Sequence, residues 1–177
     1  YSLGLMSGTS MDGIDVSIIK SDGKSKYKVI LNKYFKYNKG LYNKLTSLRD
    51  KIVSYRDLES LRNDIISIEK EITIFHGKAT NKAIKKFKDK IDFIGFHGQT
   101  IYHNSDEKIS KQLGSGKLLS KLTKKKVVYD FRQNDLKNGG QGAPLTPIFH
   151  KLLKDKYKLK LPLVIVNIGG ITNVTSI

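Results

Sequence analysis

LGLMSGTSMDGIDVSII, residues 3–19, sets two strand-like apolar runs on either side of a polar link. The first run stops at Ser7-Gly8-Thr9-Ser10. The chain then passes Met11-Asp12-Gly13, and a second run opens at Ile14. These runs predict strands over about 1–7 and 14–20, and a third over 27–37 follows SDGKSK, whose Asp22-Gly23 is a hairpin turn signal. The chain therefore begins as an antiparallel meander. Its first link is made of residues that can serve a ligand as well as a turn. A tight glycine-containing link can aim successive backbone N–H groups at one point, making an anion nest. Thr9 and Ser10 add hydroxyl donors. Asp12 and Asp15 would repel a bare phosphate, but a carboxylate near phosphate oxygens can hold a hydrated Mg²⁺. Neither the Walker pattern nor the dinucleotide glycine pattern is present. An ordinary hairpin loop is the competing reading, since Gly, Ser, Thr and Asp are common turn residues.

Beyond the meander the spacing becomes helical. Leu41, Leu45, Leu48 and Ile52 form one stripe, and Leu58, Leu61, Ile65, Ile68, Ile72, Phe75, Ala79, Ala83 and Phe87 form another. The second stripe predicts one long helix against a sheet, bent at Gly77. IDFIGFHGQTI (91–101) reads as an interior strand ending in polar residues, and KKVVYDF (125–131) as another buried strand. A short helix is expected over 115–123, a flexible glycine-rich loop over 138–145 and a helix over 145–155. LPLVIVNIGGITNVTSI then repeats the opening layout of strand, glycine turn at Gly169-Gly170, and strand. A bare terminal hairpin would leave an apolar sheet edge unpaired. The expected organisation is an N-terminal domain, 1–160, and the start of a second similar domain, 161–177, within a longer protein.

Composition narrows the function classes. Hydrophobic residues make up 38% of the 177, and no apolar run approaches the roughly 20 residues of a membrane span. There is no cysteine for a disulfide framework, and a cytoplasmic protein is the simplest expectation. The net charge of +17 raises the nucleic-acid class, but only Arg49, Arg56, Arg62 and Arg132 are arginine among the 33 basic residues. The lysines are spread along the chain, whereas nucleic-acid readers add arginine forks and aromatic platforms. A solvated basic surface, favourable to an anionic ligand, is the better reading.

Two further stretches carry ligand-type chemistry. In FHGQT (96–100), polar residues beyond an interior strand stand where open α/β sheets bind ligands. His97, Gln99 and Thr100 could hydrogen-bond a polyhydroxylated molecule, or simply tie down the loop. In YDFRQNDLKNGGQGAP (129–144), Arg132 could clamp a carboxylate or phosphate; a surface ion pair with Asp135 is the alternative. His103 and His150 are not at metal-ligand spacing with His97, and His76 on the long helix reads as structural. Asn173-Val174-Thr175 matches the glycosylation pattern, which means little without a secretion signal.

Taken together, GLMSGTSMDGID, GFHGQT, DFRQNDLKNGGQGAPLTPIFH and VNIGGITN resemble, in order and spacing, the N-terminal half of anhydro-N-acetylmuramic acid kinases. The resemblance implies an α/β, actin-like sugar-kinase fold of two ribonuclease-H-like domains with a mixed sheet and ATP in the cleft between them. It implies that Gly8, Thr9, Ser10, Met11, Asp12, Gly13, Ile14 and Asp15 form the phosphate loop, with Asp12 near Mg²⁺. By the same carry-over His97, Gln99, Thr100, Arg132, Gly140 and Gln141 line the sugar pocket. The implied reaction opens the 1,6-anhydro bridge with water and phosphorylates O6, in cell-wall recycling. The family's Asp-Thr-Gly-Pro-Gly-Asn motif, which carries the catalytic aspartate, does not occur in the 177 residues, so no catalytic residue is assigned and the fragment alone is expected to be inactive. Ser115 stands where an acidic or amide residue is expected. The implied partners are the anhydro-sugar, ATP and a C-terminal domain, and a homodimer is compatible. A non-catalytic half-kinase and a nucleic-acid binder are the competing functions.

Overall fold

The computed structural model describes residues 1–85, 87–169 and 172–177. The meander forms as the opening stretch predicts. Strand β1 (Ser2–Ser7) turns Leu3, Leu5 and Ser7 inward, and β2 (Gly13–Ser21) buries Ile14, Val16 and Ile18. They pair antiparallel with Leu5 opposite Val16. Strand β3 (Tyr27–Lys36) pairs antiparallel with β2 and forms the sheet edge. The Asp22 carboxylate fixes the intervening turn by accepting from the backbone N–H groups of Lys24, Ser25 and Lys26.

On the other side of β1 the sheet becomes parallel. Strand β4 (Phe93–Asn104) runs beside β1 with Leu3 opposite Ile94, and carries β5 (Ile109–Leu113) and β6 (Lys126–Tyr129) on its far side. Strand β6 is parallel to the first half of β4, and β5 antiparallel to the second. The helices are α1 (Lys39–Lys51), α2 (Asp57–Ser60), α3 (Arg62–Ile84), α4 (Gly116–Thr123), α5 (Gln133–Lys137) and α6 (Pro147–Tyr157). Asn38 caps α1 by accepting from Leu41 N–H at 2.8 Å. The leucine and isoleucine stripes of α1 and α3 meet Leu3, Leu5, Ile14, Val16, Ile94 and Phe96 of the sheet and Leu119 of α4 in one core.

Several expectations are corrected. FHGQT does not lie beyond a strand end. Between the pairs Leu5–Phe96 and Ser7–Gln99, β4 carries an extra residue, and Gly98 takes a φ of +74°. This bulge lets β4 continue to Asn104 and pair with β5, a strand the sequence reading did not anticipate. Strand β6 is not buried: among the described residues it pairs with β4 alone, and Val128 is 50% exposed. The stripe expected as one helix is split into α2 and α3. Helix α3 runs unbroken through Gly77, whose missing side chain admits Leu122 of α4: a Cβ there would meet its Cδ1 at 3.0 Å. The stretch 129–144 contains α5, and the last helix starts at Pro147 rather than 145. Strands β7 (Val164–Asn167) and β8 (Asn173–Ser176) make a separate two-stranded sheet. The turn expected at Gly169-Gly170 lies partly outside the described residues.

Candidate active site

The polar link between β1 and β2 is held from beneath and open above. Ser7 is buried; its hydroxyl donates to Gln99 Oε1 and accepts from Tyr37 OH at 3.0 Å. Gln99 Nε2 donates in turn to the Gly8 carbonyl at 2.9 Å. Gln99 is wholly buried and engaged at both ends, so its side chain braces the first loop instead of facing a ligand. Within the loop Met11 N–H closes a turn onto Gly8 O at 3.1 Å. Met11 and Ile14 plunge into the core, so any ligand they meet is met by their backbone. Thr9, Ser10, Asp12 and Asp15 are exposed. Among the described residues the Thr9 hydroxyl and the N–H groups of Thr9 and Ser10 make no hydrogen bond, leaving donors open at the carboxyl end of β1. The Asp12 carboxylate accepts from the Ser10 hydroxyl and from Tyr34 OH at 2.8 Å, and these two bonds hold its pKa below the usual carboxylate value.

The bulge of β4 places His97 beside Arg132, 35 positions away. Arg132 Nη2 lies 2.8 Å and Nε 3.2 Å from His97 Nε2, while His97 Nδ1 is 2.8 Å from Gly98 O. A guanidinium only donates and a carbonyl only accepts, so His97 is the neutral Nδ1–H tautomer. Burial holds its pKa below 6.5, with the Gly98 carbonyl opposing and the Arg132 charge reinforcing the shift. Burial also lowers the pKa of Arg132 from its ordinary value. Arg132 Nη1 donates to Gly142 O at 2.7 Å, tying the glycine-rich loop to the bulge. Asp135 does not pair with Arg132. It accepts from Gly140 N–H through its carbonyl at 2.8 Å and from Gly142 N–H through its carboxylate at 2.7 Å. The 139–142 segment is therefore a pinned loop, contrary to the flexible one expected. The structure joins His97, Arg132, Gly142, Asp135 and Gly140 through this network, and Gln141 is connected to it only as the chain neighbour of Gly140 and Gly142.

This arrangement coincides with a family match over its whole length. A profile of the anhydro-N-acetylmuramic acid kinase family matches residues 1–177. The chain belongs to that family. It is 57% identical over 174 residues to the anhydro-N-acetylmuramic acid kinase of Pelagibacter ubique, covering 98% of this chain and 46% of the relative. The kinase of that name from Agrobacterium fabrum is 40% identical over 181 residues, covering 99% and 48%, and that from Rhizobium etli 39% over 180 residues, covering 99% and 49%. The chain thus spans about half the length of the curated relatives it matches.

Several residues near His97 belong to no motif that the sequence displays. A cavity of about 230 Å³ opens next to His97, lined by Glu69, Phe96, Lys111, Gln112, Gly114 and Asp130 among others. Glu69 comes from α3, and its Oε1 accepts from Lys111 Nζ at 3.2 Å and Gly114 N–H at 3.3 Å. Only its place on α3, with no motif around it, could have marked it. Thr100 does not line this cavity, but its hydroxyl accepts at 3.2 Å from Nε2 of Gln112, which does. Ser115, which departs from the expected residue type, caps α4 by accepting from Leu118 N–H at 3.2 Å. Among the described residues no three His, Cys, Asp or Glu side chains gather as a metal cage. Asp12, a single exposed carboxylate beside open phosphate-type donors, fits a Mg²⁺ that keeps most of its waters and takes its remaining ligands from phosphate.

Proposed function

We propose that this chain supplies the phosphate-loop and sugar side of an ATP-dependent kinase. That kinase opens the 1,6-anhydro bridge of anhydro-N-acetylmuramic acid with water and phosphorylates the released O6. The products are N-acetylmuramic acid 6-phosphate and ADP, in the setting of cell-wall recycling in the cytoplasm. One observation carries this reading: the Ser7–Gln99–Gly8 brace holds unsatisfied backbone and hydroxyl donors at the end of β1, beside the His97–Arg132 pair. Ligands of open α/β sheets sit at such strand ends.

In this reading Thr9 and Ser10 donate to ATP phosphate oxygens, and Asp12 faces the water shell of Mg²⁺. The bound ion neutralises charge on the transferring phosphoryl group. Arg132 gives its Nε/Nη2 edge to His97, which holds its plane, and the N–H groups left on Nη1 and Nη2 are assigned to the sugar's lactyl carboxylate. Thr100, Gly140 and Gln141 shape the sugar side. Positioning and charge stabilisation do most of the work, because water must attack the anomeric carbon while O6 meets the γ-phosphoryl group. A general base takes the water's proton, and the family's Asp-Thr-Gly-Pro-Gly-Asn motif supplies it. The sheet order β3-β2-β1-β4, antiparallel then parallel, with parallel β6 and antiparallel β5 both on β4, supports a ribonuclease-H-like domain over 1–160. The β7–β8 hairpin is read as the opening of a second, ATP-holding domain. Among the described residues no helix is long and apolar enough to cross a membrane.

The test is ADP release by a protein of the relatives' full length carrying these residues, given Mg-ATP with and without anhydro-N-acetylmuramic acid. Sugar-dependent ADP release is expected, with Arg132→Ala raising the sugar KM by about 10-fold or more. ADP release indifferent to the sugar would overturn the assignment.

A further inference from the structure

Tyr34 lies on the edge strand, outside every sequence motif, and yet its hydroxyl reaches the first loop. In register it stands opposite Asp15. Its ring instead slants across Gly13, so that a Cβ at position 13 would lie 2.6 Å from both Tyr34 Cζ and Tyr34 OH, as well as 2.5 Å from the Phe35 carbonyl oxygen of the same strand. The hydroxyl then donates to Asp12 Oδ2 at 2.8 Å, while Ser10 donates to Oδ1 and Tyr37 N–H donates to the Asp12 carbonyl at 2.8 Å. An exposed aspartate on a turn would ordinarily sample several rotamers. Here one hydroxyl on each carboxylate oxygen, plus a backbone anchor, leaves a single orientation. Each oxygen still keeps a lone pair for an outside partner.

We propose that Tyr34 is a positioning residue for Asp12, and that Gly13 is glycine because both the tyrosine ring and the Phe35 carbonyl crowd the space a side chain would fill. The inference rests on the reading of Asp12 as the carboxylate facing the magnesium shell. Partners that orient a metal-facing ligand have effects out of proportion to their contact with the metal, because they fix ligand direction. Gly13 thereby acquires a reason other than turn geometry.

The experiment measures the magnesium requirement of sugar-dependent ADP release in the full-length protein, at saturating ATP and sugar. The wild type is compared with Tyr34→Phe, Asp12→Asn and the double variant. Tyr34→Phe should raise half-saturating Mg²⁺ by about 10-fold without moving the sugar KM. It should add nothing in the Asp12→Asn background, because the two groups act through one carboxylate. A merely structural tyrosine would lower the thermal midpoint and disturb the sugar and magnesium constants alike, and that outcome overturns the proposal. If Asp12→Asn shifts the magnesium requirement and Tyr34→Phe leaves it at the wild-type value, the positioning role falls while the reading of Asp12 stands. If neither variant shifts it, the reading of Asp12 falls and takes this inference with it.

Discussion

His76 is fully buried on α3, with its ring 5.0 Å from that of Phe96 and 6.5 Å from that of Tyr37. Its Nδ1 meets Ile72 O at 2.8 Å, and among the described residues its Nε2 has no partner. Burial, partly opposed by the Ile72 carbonyl, lowers its pKa from 6.5 to about 4. A lowered histidine pKa means that the unfolded chain takes up the proton first as pH falls. The contribution is therefore fully present above pH 6.5 and is lost as pH falls through 4. A shift of that size corresponds to about 3 kcal/mol of stability. Urea unfolding at pH 7 and pH 4 should show this loss in the wild type and a correspondingly smaller one in His76→Leu. Equal losses in both would remove His76 as the acid-sensitive group. Its place on the long helix marked this residue as structural in the sequence. Spacing carries no information on how dry the site is.

Strand β4 shows where the elements were legible and where they were not. The meander could be read because its three runs are adjacent in sequence and Asp22-Gly23 announces the turn. The polar letters of FHGQT, by contrast, look like a strand's end. Only the pairing with β1 and β5 reveals a bulge with the strand continuing past it. Strand β6 looked buried because VVY is apolar, but its place at the sheet edge is a property of topology, not of those residues. The site has the same division. The first loop was visible as a motif, whereas the His97–Arg132 contact joins positions 35 apart and Glu69 arrives from a helix. The bulge itself is testable through Gly98. Its φ of +74° is left-handed, and an added Cβ would run into the Leu113 carbonyl oxygen of β5. Gly98→Ala should cost about 3 kcal/mol or more, combining backbone strain with overpacking. Because His97 and Gln99 flank the bulge, the urea midpoint and the sugar KM should move together. A variant as stable as the wild type would mean that β4 and β5 separate easily at this point.

Across the whole molecule, stability is unevenly placed. The described ion pairs all involve side chains at least 23% exposed, so they contribute little, and the core of β1, β2, β4, α1, α3 and α4 carries the fold. The β7–β8 hairpin shares none of that core: Val164, Val166 and Val174 are 58%, 51% and 63% exposed. An isolated two-stranded hairpin is marginal at best in water. Among the described residues its side-chain tie to α6 is one hydrogen bond, His150 Nδ1 to Thr175 Oγ1 at 2.8 Å. Helix α6 itself leans on β3 through Phe149 against Tyr27, at 5.5 Å between ring centres. Opening the hairpin thus removes little buried apolar area, whereas opening β1 from β4 dismantles the core. Amide exchange should register the difference, with Val166 and Val174 exchanging through cheap local opening and Leu5 and Phe96 only through global unfolding. Ile72→Ala, at a fully buried position, should cost about 2–5 kcal/mol and speed exchange at Leu5 and Phe96 accordingly. The same substitution should leave Val166 and Val174 unchanged, because their opening does not pass through the core. If hairpin and core amides were equally protected and fell together in Ile72→Ala, the two sheets would be one cooperative unit. The hairpin would then need a stabilising contact beyond the His150 bond.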